Sequence, residues 1–395
     1  MIRLMEYGDI DYVIELEKNV LNTTLGEAML EDCVYNPYKR AYVYTIFDEI
    51  VGYISTMFDG YDVEILNFCV YKSYQNKKIG RELLNYALSY FYSKNAISAF
   101  LEVRESNLKA IHIYELFGFK KINVRKNYYS NNENAIVMQK TFIPYEDIEN
   151  MYLDCYVKRQ KGKDYVKVFN DNHETKYYHN YYIVNEKTNL LPLLAEPFCG
   201  FNHFVSNNQI KHDLDDYSLD RICILHSNIN SIKILSKNNK KVSKLNDDNI
   251  SLIRDFIYND SLVFGEEYAK RNVVCLVDAD YLYHKINVYV VFDSDKVVGY
   301  LHTYIYKNYA KIEDFFVLDD YQRNGYGSSL FNKAIEDLKM SGCTDVILDC
   351  DMDDTPLEMY KRMGFNIISK YYMYFKRVEN YGKNKCNENF RSKEN

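Results

Sequence analysis

The residues Tyr321-Gln322-Arg323-Asn324-Gly325-Tyr326-Gly327 lie between an apolar run ending Asp314-Phe315-Phe316-Val317 and a helical pattern. Two glycines at such a junction let backbone N–H groups come close to an anion, and the positive end of the helix dipole favours negative charge there. Arg323 adds a full charge. The ligand such a loop suits is an anion, and Phe316, Val317, Gln322, Arg323, Asn324, Gly325, Tyr326, Gly327 and Ser328 are candidates to hold it. An upstream counterpart reads Tyr74-Gln75-Asn76-Lys77-Lys78-Ile79-Gly80-Arg81. There Lys78 replaces the first glycine, which either strains the loop or adds a phosphate-binding charge.

The elements that must position these loops occur twice. Gly52 recurs as Gly299, 247 positions on (299 − 52), and Tyr74-Gln75 and Gly80 recur at the same offset. Leu116-Phe117-Gly118-Phe119 is echoed by Arg362-Met363-Gly364-Phe365 with a one-residue gap. Each copy predicts a β hairpin (Tyr42 to Phe47 and Ile50 to Met57 in the first), then a strand, the polar loop and an amphipathic helix. The helix carries Leu83, Leu84, Ala87, Leu88 and Phe91 in copy one and Leu330, Phe331, Ala334, Ile335 and Leu338 in copy two, one face of a 3.6-residue period. A further strand (Ala99 to Val103; Val346 to Cys350) and a second helix follow, with Gly118 and Gly364 at left-handed C-cap positions. The pattern is α/β, a mixed sheet with helices on its faces. The expected units are residues 1–145 and 150–380, the second with a core at about 245–380, and a polar tail at 381–395. The extra segment before the second hairpin, with Tyr177-Tyr178-His179-Asn180-Tyr181-Tyr182 and the loop-like Ser236-Lys237-Asn238-Asn239-Lys240-Lys241, reads as a degenerate half-module or an N-terminal extension.

The loop at Gln322 resembles the Q/R-x-x-G-x-G/A pyrophosphate loop of the GNAT acetyltransferase superfamily. In copy one, Leu101-Glu102-Val103-Arg104-Glu105-Ser106-Asn107, Ala110-Ile111-His112-Ile113-Tyr114-Glu115-Leu116-Phe117-Gly118-Phe119, Arg125-Lys126-Asn127-Tyr128-Tyr129 and Asn134 to Met138 follow. Over its first 140 or so residues the chain is similar to the RimI-type ribosomal-protein-alanine N-acetyltransferases. The resemblance implies two GNAT modules in tandem, Glu102 as proton acceptor and Tyr114 as proton donor. It also implies acetyl-CoA contacts from Phe68-Cys69-Val70, from Gln75, Asn76, Lys77, Lys78, Ile79, Gly80 and Arg81, and from Asn107. By position in the repeat, Asp349 and Tyr360 are the corresponding pair in copy two. Their neighbours Asp351-Met352-Asp353-Asp354-Thr355-Pro356 lack the Ser-Asn of copy one. This acidic run reads as a solvated loop or as an attractor for a cationic amine. The chain departs from RimI-type enzymes at Leu21-Asn22-Thr23-Thr24-Leu25-Gly26, where they carry a Phe-Pro-Trp-like segment near the peptide site.

Acetyl transfer makes the same demands. An α-amino group with a pKa near ~8 must lose a proton before it attacks a thioester, and a carboxylate at a strand end takes it directly or through a water. The departing thiolate, of a thiol with pKa near ~8.5, is helped by a phenol, and N–H groups on a splayed strand could stabilise the oxyanion. No covalent intermediate is needed, so Cys69 need not be a nucleophile. Glu102 also fits the ordinary solvent-facing residue of a strand, and His112 reads as helix surface.

The 395 residues exceed one compact core, and no apolar run reaches the ~18 residues that span a bilayer. The nine cysteines show no paired spacing, which predicts reduced core thiols and no metal site. A net charge of −7 without a basic stripe argues against nucleic acid. The composite expectation is a soluble, cytoplasmic, acetyl-CoA-dependent N-acetyltransferase, monomer or dimer. Its acceptor is a primary amine, whether a protein N-terminus, including the N-terminal alanine of a ribosomal protein, or a small molecule. The alternatives are a polyamine or aminoglycoside-like acceptor, or one module that only binds acetyl-CoA or serves as structure.

Overall fold

The computed structural model describes residues 1–174, 176–210, 214, 216–234, 240–278, 286–353 and 356–377. Ser236-Lys237-Asn238-Asn239, Asp354-Thr355 and the expected tail at 381–395 lie outside the described residues.

In the first module a short strand β1 (Ile2–Leu4) precedes helices α1 (Ile10–Leu21) and α2 (Glu27–Tyr35). Strands β2 (Lys39–Ile46) and β3 (Glu49–Phe58) form the expected hairpin, with Phe47 and Asp48 at φ 47° and 64°, the left-handed pair a tight two-residue turn requires. Then come β4 (Asp62–Val70), α3 (Ile79–Tyr92), β5 (Ser98–Arg104), α4 (Leu108–Leu116), β6 (Lys120–Arg125) and β7 (Ala135–Thr141). The sheet runs β1-β2-β3-β4-β5-β7-β6, and only β4 and β5 are parallel neighbours. The predicted stripe on α3 is fully buried against Val51, Ile54, Val63 and Leu101 on one sheet face. Helices α1 and α2 seal the other face through Val13, Leu16, Leu30 and Cys33. Gly118 takes φ 86° and Gly364 φ 100°, as expected for the ends of the second helices.

Helix α5 (Tyr145–Leu153) links this module to β8 (Lys158–Lys161), β9 (Val166–Phe169), β10 (Tyr181–Ile183), a short α6 (Leu191–Leu194), β11 (Phe201–Ser206) and β12 (Ser218–Asn228). The repeat then proceeds through β13 (Lys241–Lys244), α7 (Ile250–Ser261), α8 (Glu266–Val273), β14 (Ile286–Asp293), β15 (Lys296–Tyr306), β16 (Tyr309–Val317), α9 (Tyr326–Met340), β17 (Asp345–Asp351), α10 (Pro356–Met363) and β18 (Asn366–Arg377). All form one sheet in the order β13-β14-β15-β16-β17-β12-β18-β11-β10-β9-β8. In the first module β7 lies between β5 and β6; here β12, drawn from upstream, lies between β17 and β18 and pairs antiparallel with both. The extra segment therefore supplies a central strand of the second sheet rather than an appendage to it. Its Cys223, Ile224 and Leu225 are buried.

The modules share an interior. The far side of α3 packs on β12 and β18, and Ile224, Tyr309, Ile347 and Ile368 join the first module's core cluster. A polar chain crosses the seam. The Lys140 ammonium donates to Asp345 Oδ2 at 2.6 Å and to the Phe117 carbonyl at 2.8 Å. His226 bridges Asp345 Oδ1 at 2.8 Å and Ser89 Oγ at 2.9 Å. Asn85 donates to the Gly364 carbonyl and accepts from the Asn228 N–H. Among the described cysteines seven are free, six of them buried, as core thiols should be; Cys199 departs from that expectation in being disulfide-bonded. No helix among the described residues is long and apolar enough to cross a membrane.

Candidate active site

Strands β4 and β5 pair in parallel from Asp62↔Ser98 to Ile65↔Leu101 and then separate. Beyond that point β4 stays bonded to β3 and β5 to β7, so the two strands open into a V. A register shift between Ser55 and Thr56 marks a bulge in β4 at the start of the split. Backbone groups of residues 66–70 that no longer meet β5 are available to an extended ligand, as on any strand edge. Phe68, Cys69 and Val70 lie on this edge.

The loop from Gln75 to Arg81 sits at the open end. Gln75 donates to the Val70 carbonyl at 3.1 Å, tying loop to strand. Asn76 and Lys78 take φ 62° and 67°, so the loop needs two left-handed residues, and Lys78 supplies the second without being glycine. Gly80 is required for a different reason: a Cβ there would stand 3.2 Å from Phe68 Cζ, so its absence lets the first turn of α3 rest on β4. The N–H groups of that first turn lack helical partners. Lys77, Lys78, Ile79 and Arg81 complete the loop, and Lys77 lies over the Tyr74 ring at 4.8 Å. Burial, with the charges of Lys78 and Arg81, lowers the pKa of Lys339 on α9, which places a cation of the second module beside this loop.

Glu102 is the first β5 residue past the split. It lies on the face away from α3, with Phe100 and Arg104, all half-buried. Arg125 pairs with its Oε1 at 3.0 Å. Donation of its hydroxyl to the Glu102 carboxylate raises the Tyr128 pKa, so that hydroxyl adjoins the carboxylate. Tyr114, on α4, is buried between Phe68 (centroids 6.3 Å) and Phe119 (5.8 Å). Burial pushes its pKa well above the usual value, so the phenol keeps its proton at neutral pH. Complete transfer from so weak an acid to a thiolate of pKa near ~8.5 is uphill, which makes Tyr114 suited to donating a hydrogen bond as sulfur departs. Asn107, expected to meet acetyl-CoA, spends its Oδ1 capping α4 through the Ala110 N–H at 3.2 Å.

The second module repeats the plan. β16 and β17 pair from Tyr309↔Asp345 to Ile312↔Leu348 and part there. Gln322 donates to the Val317 carbonyl at 3.1 Å; Arg323 and Gly325 take φ 59° and 86°. A Cβ on Gly327 would meet Phe315 Cζ at 3.2 Å, and one on Gly299 the Phe316 carbonyl at 2.6 Å. Asn324 and Ser328 flank these glycines. Tyr326 turns inward to donate to Asp293 at 2.7 Å, a structural role. Tyr360 packs on Phe331 and Phe365 much as Tyr114 packs on Phe119. Asp349 likewise has a tyrosine and a cation beside it, the Tyr371 hydroxyl donating at 3.0 Å and Lys311 lying 3.4 Å away, but Lys311 is buried where Arg125 is exposed. In the acidic run, Asp353 is paired with Arg221.

Several neighbours were not assigned from sequence. Arg125 and Tyr128 lie in the RimI-like stretch, but local sequence gives neither a role. Lys311 was detectable, since it occupies the position of Glu64 at the 247-residue offset. Glu17, wholly buried, accepts from Thr24 Oγ1 (2.6 Å), the Leu25 N–H (3.0 Å), Asn67 (2.5 Å) and Tyr53, anchoring the 22–26 loop to the β4 bulge. Nothing in its local sequence marked it.

A parting of parallel strands above a loop-and-helix anion site, with a buried phenol on the next helix, defines an acyltransferase that uses a coenzyme A thioester. The chain belongs to the acetyltransferase (GNAT) family, whose model matches residues 11–119 and again 257–365. It is an acetyl-CoA-dependent N-acetyltransferase with its two modules in tandem. A candidate ribosomal protein bS18-alanine N-acetyltransferase of Bacillus subtilis is 30% identical over 142 residues, 35% of this chain and 94% of that protein. An N-alpha-acetyltransferase of Sulfolobus acidocaldarius is 26% identical over 150 residues, 35% of this chain and 89% of that protein. The crystal structure of the Escherichia coli ribosomal-protein-S18-alanine N-acetyltransferase aligns over 36% of this chain and 92% of its own, with 24% identity and a TM-score of 0.34.

Proposed function

We propose that the first module carries the transfer, with a protein N-terminal α-amino group as acceptor. In this reading acetyl-CoA lies along Phe68 to Val70 with its pyrophosphate on the Gln75–Arg81 loop and Asn107 nearby. Glu102 takes the amine proton and Tyr114 attends the sulfur. The observation that carries it is the position of Glu102, the first residue of β5 past the split, on the sheet face where α1 and α2 pack over β2, β3 and β4. The names of the Bacillus and Sulfolobus relatives support an N-terminal acceptor, a ribosomal protein's alanine among them. Residues 1–145 and 150–380 act in the cytoplasm as two units of one monomeric or dimeric enzyme, without nucleic acid or membrane.

The test is thiol release from acetyl-CoA with peptides beginning in alanine and with polyamines. The Glu102→Gln variant is expected to lose about 10²- to 10⁴-fold in kcat/KM at neutral pH with acetyl-CoA affinity retained. A rate unchanged by that substitution would end the assignment. Glu64 bears on the same Tyr128 hydroxyl as Glu102, so two carboxylates face the mouth. That favours a cationic small amine, a polyamine or an aminoglycoside-like molecule, as the second reading; faster turnover of polyamines than of peptides would establish it.

A further inference from the structure

The corresponding place in the second module is already filled. Lys311 occupies the position that Glu64 holds in the first module, and its ammonium lies among three carboxylates. They are Asp349 at 3.4 Å, Glu149 at 2.7 Å and Glu313 in closer contact still. Lys311 is 1% exposed, whereas the three carboxylates keep between 22% and 33% of their side-chain surface. Glu149 comes from α5, the link between modules, and so does Tyr152, whose ring centroid lies 5.5 Å from the ammonium. Helix α5 packs across β15 and β16 on this face, while Phe100, Glu102 and Arg104 on the matching face of the first module are half-buried.

An amine undergoing acetylation must reach the carboxylate that takes its proton, at the first residue past the split. In the second module that residue is Asp349, and the cation beside it is a buried lysine, whereas Arg125 beside Glu102 is 55% exposed. We propose that the second module is a transferase closed from within, its acceptor position occupied by the Lys311 ammonium and roofed by α5, so that Asp349 holds a lysine instead of deprotonating a substrate. Burial alone would lower the Lys311 pKa; the carboxylates outweigh it and raise it well above the usual value, so the amine stays protonated and is no nucleophile. Its glycine loop is unaffected, so this module keeps the means to bind an acyl-CoA that it does not spend. The inference rests on the Glu102 reading only for locating the acceptor.

Two measurements on the full chain test it. With Tyr114→Phe crippling the first module, transfer to alanyl peptides and to polyamines is expected to fall about 10²- to 10³-fold and not to fall further when Tyr360→Phe is added. Residual transfer that a further Tyr360→Phe change removes would overturn the proposal. Independently, Lys311→Ala opens a space lined by Glu149, Glu313 and Asp349. Its unfolding midpoint should drop and should recover with methylammonium chloride but not with equal potassium or tetramethylammonium chloride, neither of which fits an ammonium-donor site. Equal responses to all three salts would also overturn it. The first arm leaves Lys311 intact, so it decides the matter even if Lys311→Ala does not fold. If the wild type acetylates no amine, the proposed function falls, while the salt response still judges this inference.

Discussion

Lys140→Met should be among the most damaging single changes in this chain. Lys140 and Asp345 are 2% and 1% exposed, and they join residues 205 positions apart. Burial pushes the Asp345 carboxyl up, but Lys140 and His226 outweigh it and hold the pKa at about 2, below its usual 3.8. A depression of nearly two units corresponds to about 2 kcal/mol. Because the folded-state pKa is lowered, that contribution is present above pH ~4 and is lost as pH falls toward 2. Without Lys140, burial dominates and the carboxyl pKa moves above its unfolded value. The variant then carries an uncompensated buried charge costing about 3–5 kcal/mol at pH 7, a large part of the ~5–15 kcal/mol of a typical domain. As pH falls toward ~4 the carboxyl takes a proton and the deficit shrinks. Asp345→Asn added to Lys140→Met should recover much of the loss, though not the bond to the Phe117 carbonyl. Urea unfolding followed by tyrosine fluorescence is a suitable assay, since the chain has 41 Tyr and no Trp. A deficit below ~1 kcal/mol, or one that does not change between pH 7 and 4, would refute the reasoning.

Lys78→Gly should raise thermal stability by about 1 kcal/mol through relief of its left-handed conformation, while weakening acetyl-CoA binding measured by calorimetry; tighter binding would deny Lys78 any phosphate role. Glu17→Gln places an amide where four donors converge and should cost about 1–3 kcal/mol, with faster proteolysis at residues 22–26; an unchanged cleavage pattern would count against Glu17 as the anchor. Tyr114→Phe should lower kcat about 10²- to 10³-fold with little change in acetyl-CoA affinity, and a change confined to KM would assign the phenol to binding alone. A fragment beginning at residue 240 lacks β12 and should show no cooperative melt by circular dichroism, since β17 and β18 would each lose a partner.

Local chemistry was enough for much of this protein. The alternating hairpins, the stripe on α3 and its counterpart on α9, and the glycines at 118 and 364 follow from periodicity and from backbone angles that few residues adopt. The two loops expected to hold an anion stood out because left-handed and close-approach positions are local requirements, and Gly80 and Gly327 lie against Phe68 and Phe315. The repeat offset even held a clue to Lys311, whose charge is opposite to that of Glu64. What sequence left open depends on contacts between distant residues. Asn85 and Ser89 interrupt the apolar pattern of α3 as solvent-facing residues do, yet they are buried because a second sheet packs there. The place of β12 between β17 and β18 breaks chain order, and register between strands more than a hundred residues apart has no local signature. The fate of the two candidate bases was decided the same way. Glu102 and Asp349 share a position in the repeat, but one is paired with an exposed arginine and the other with a buried lysine beneath a linker helix. The repeat assigned both their position, but only packing set their electrostatic surroundings.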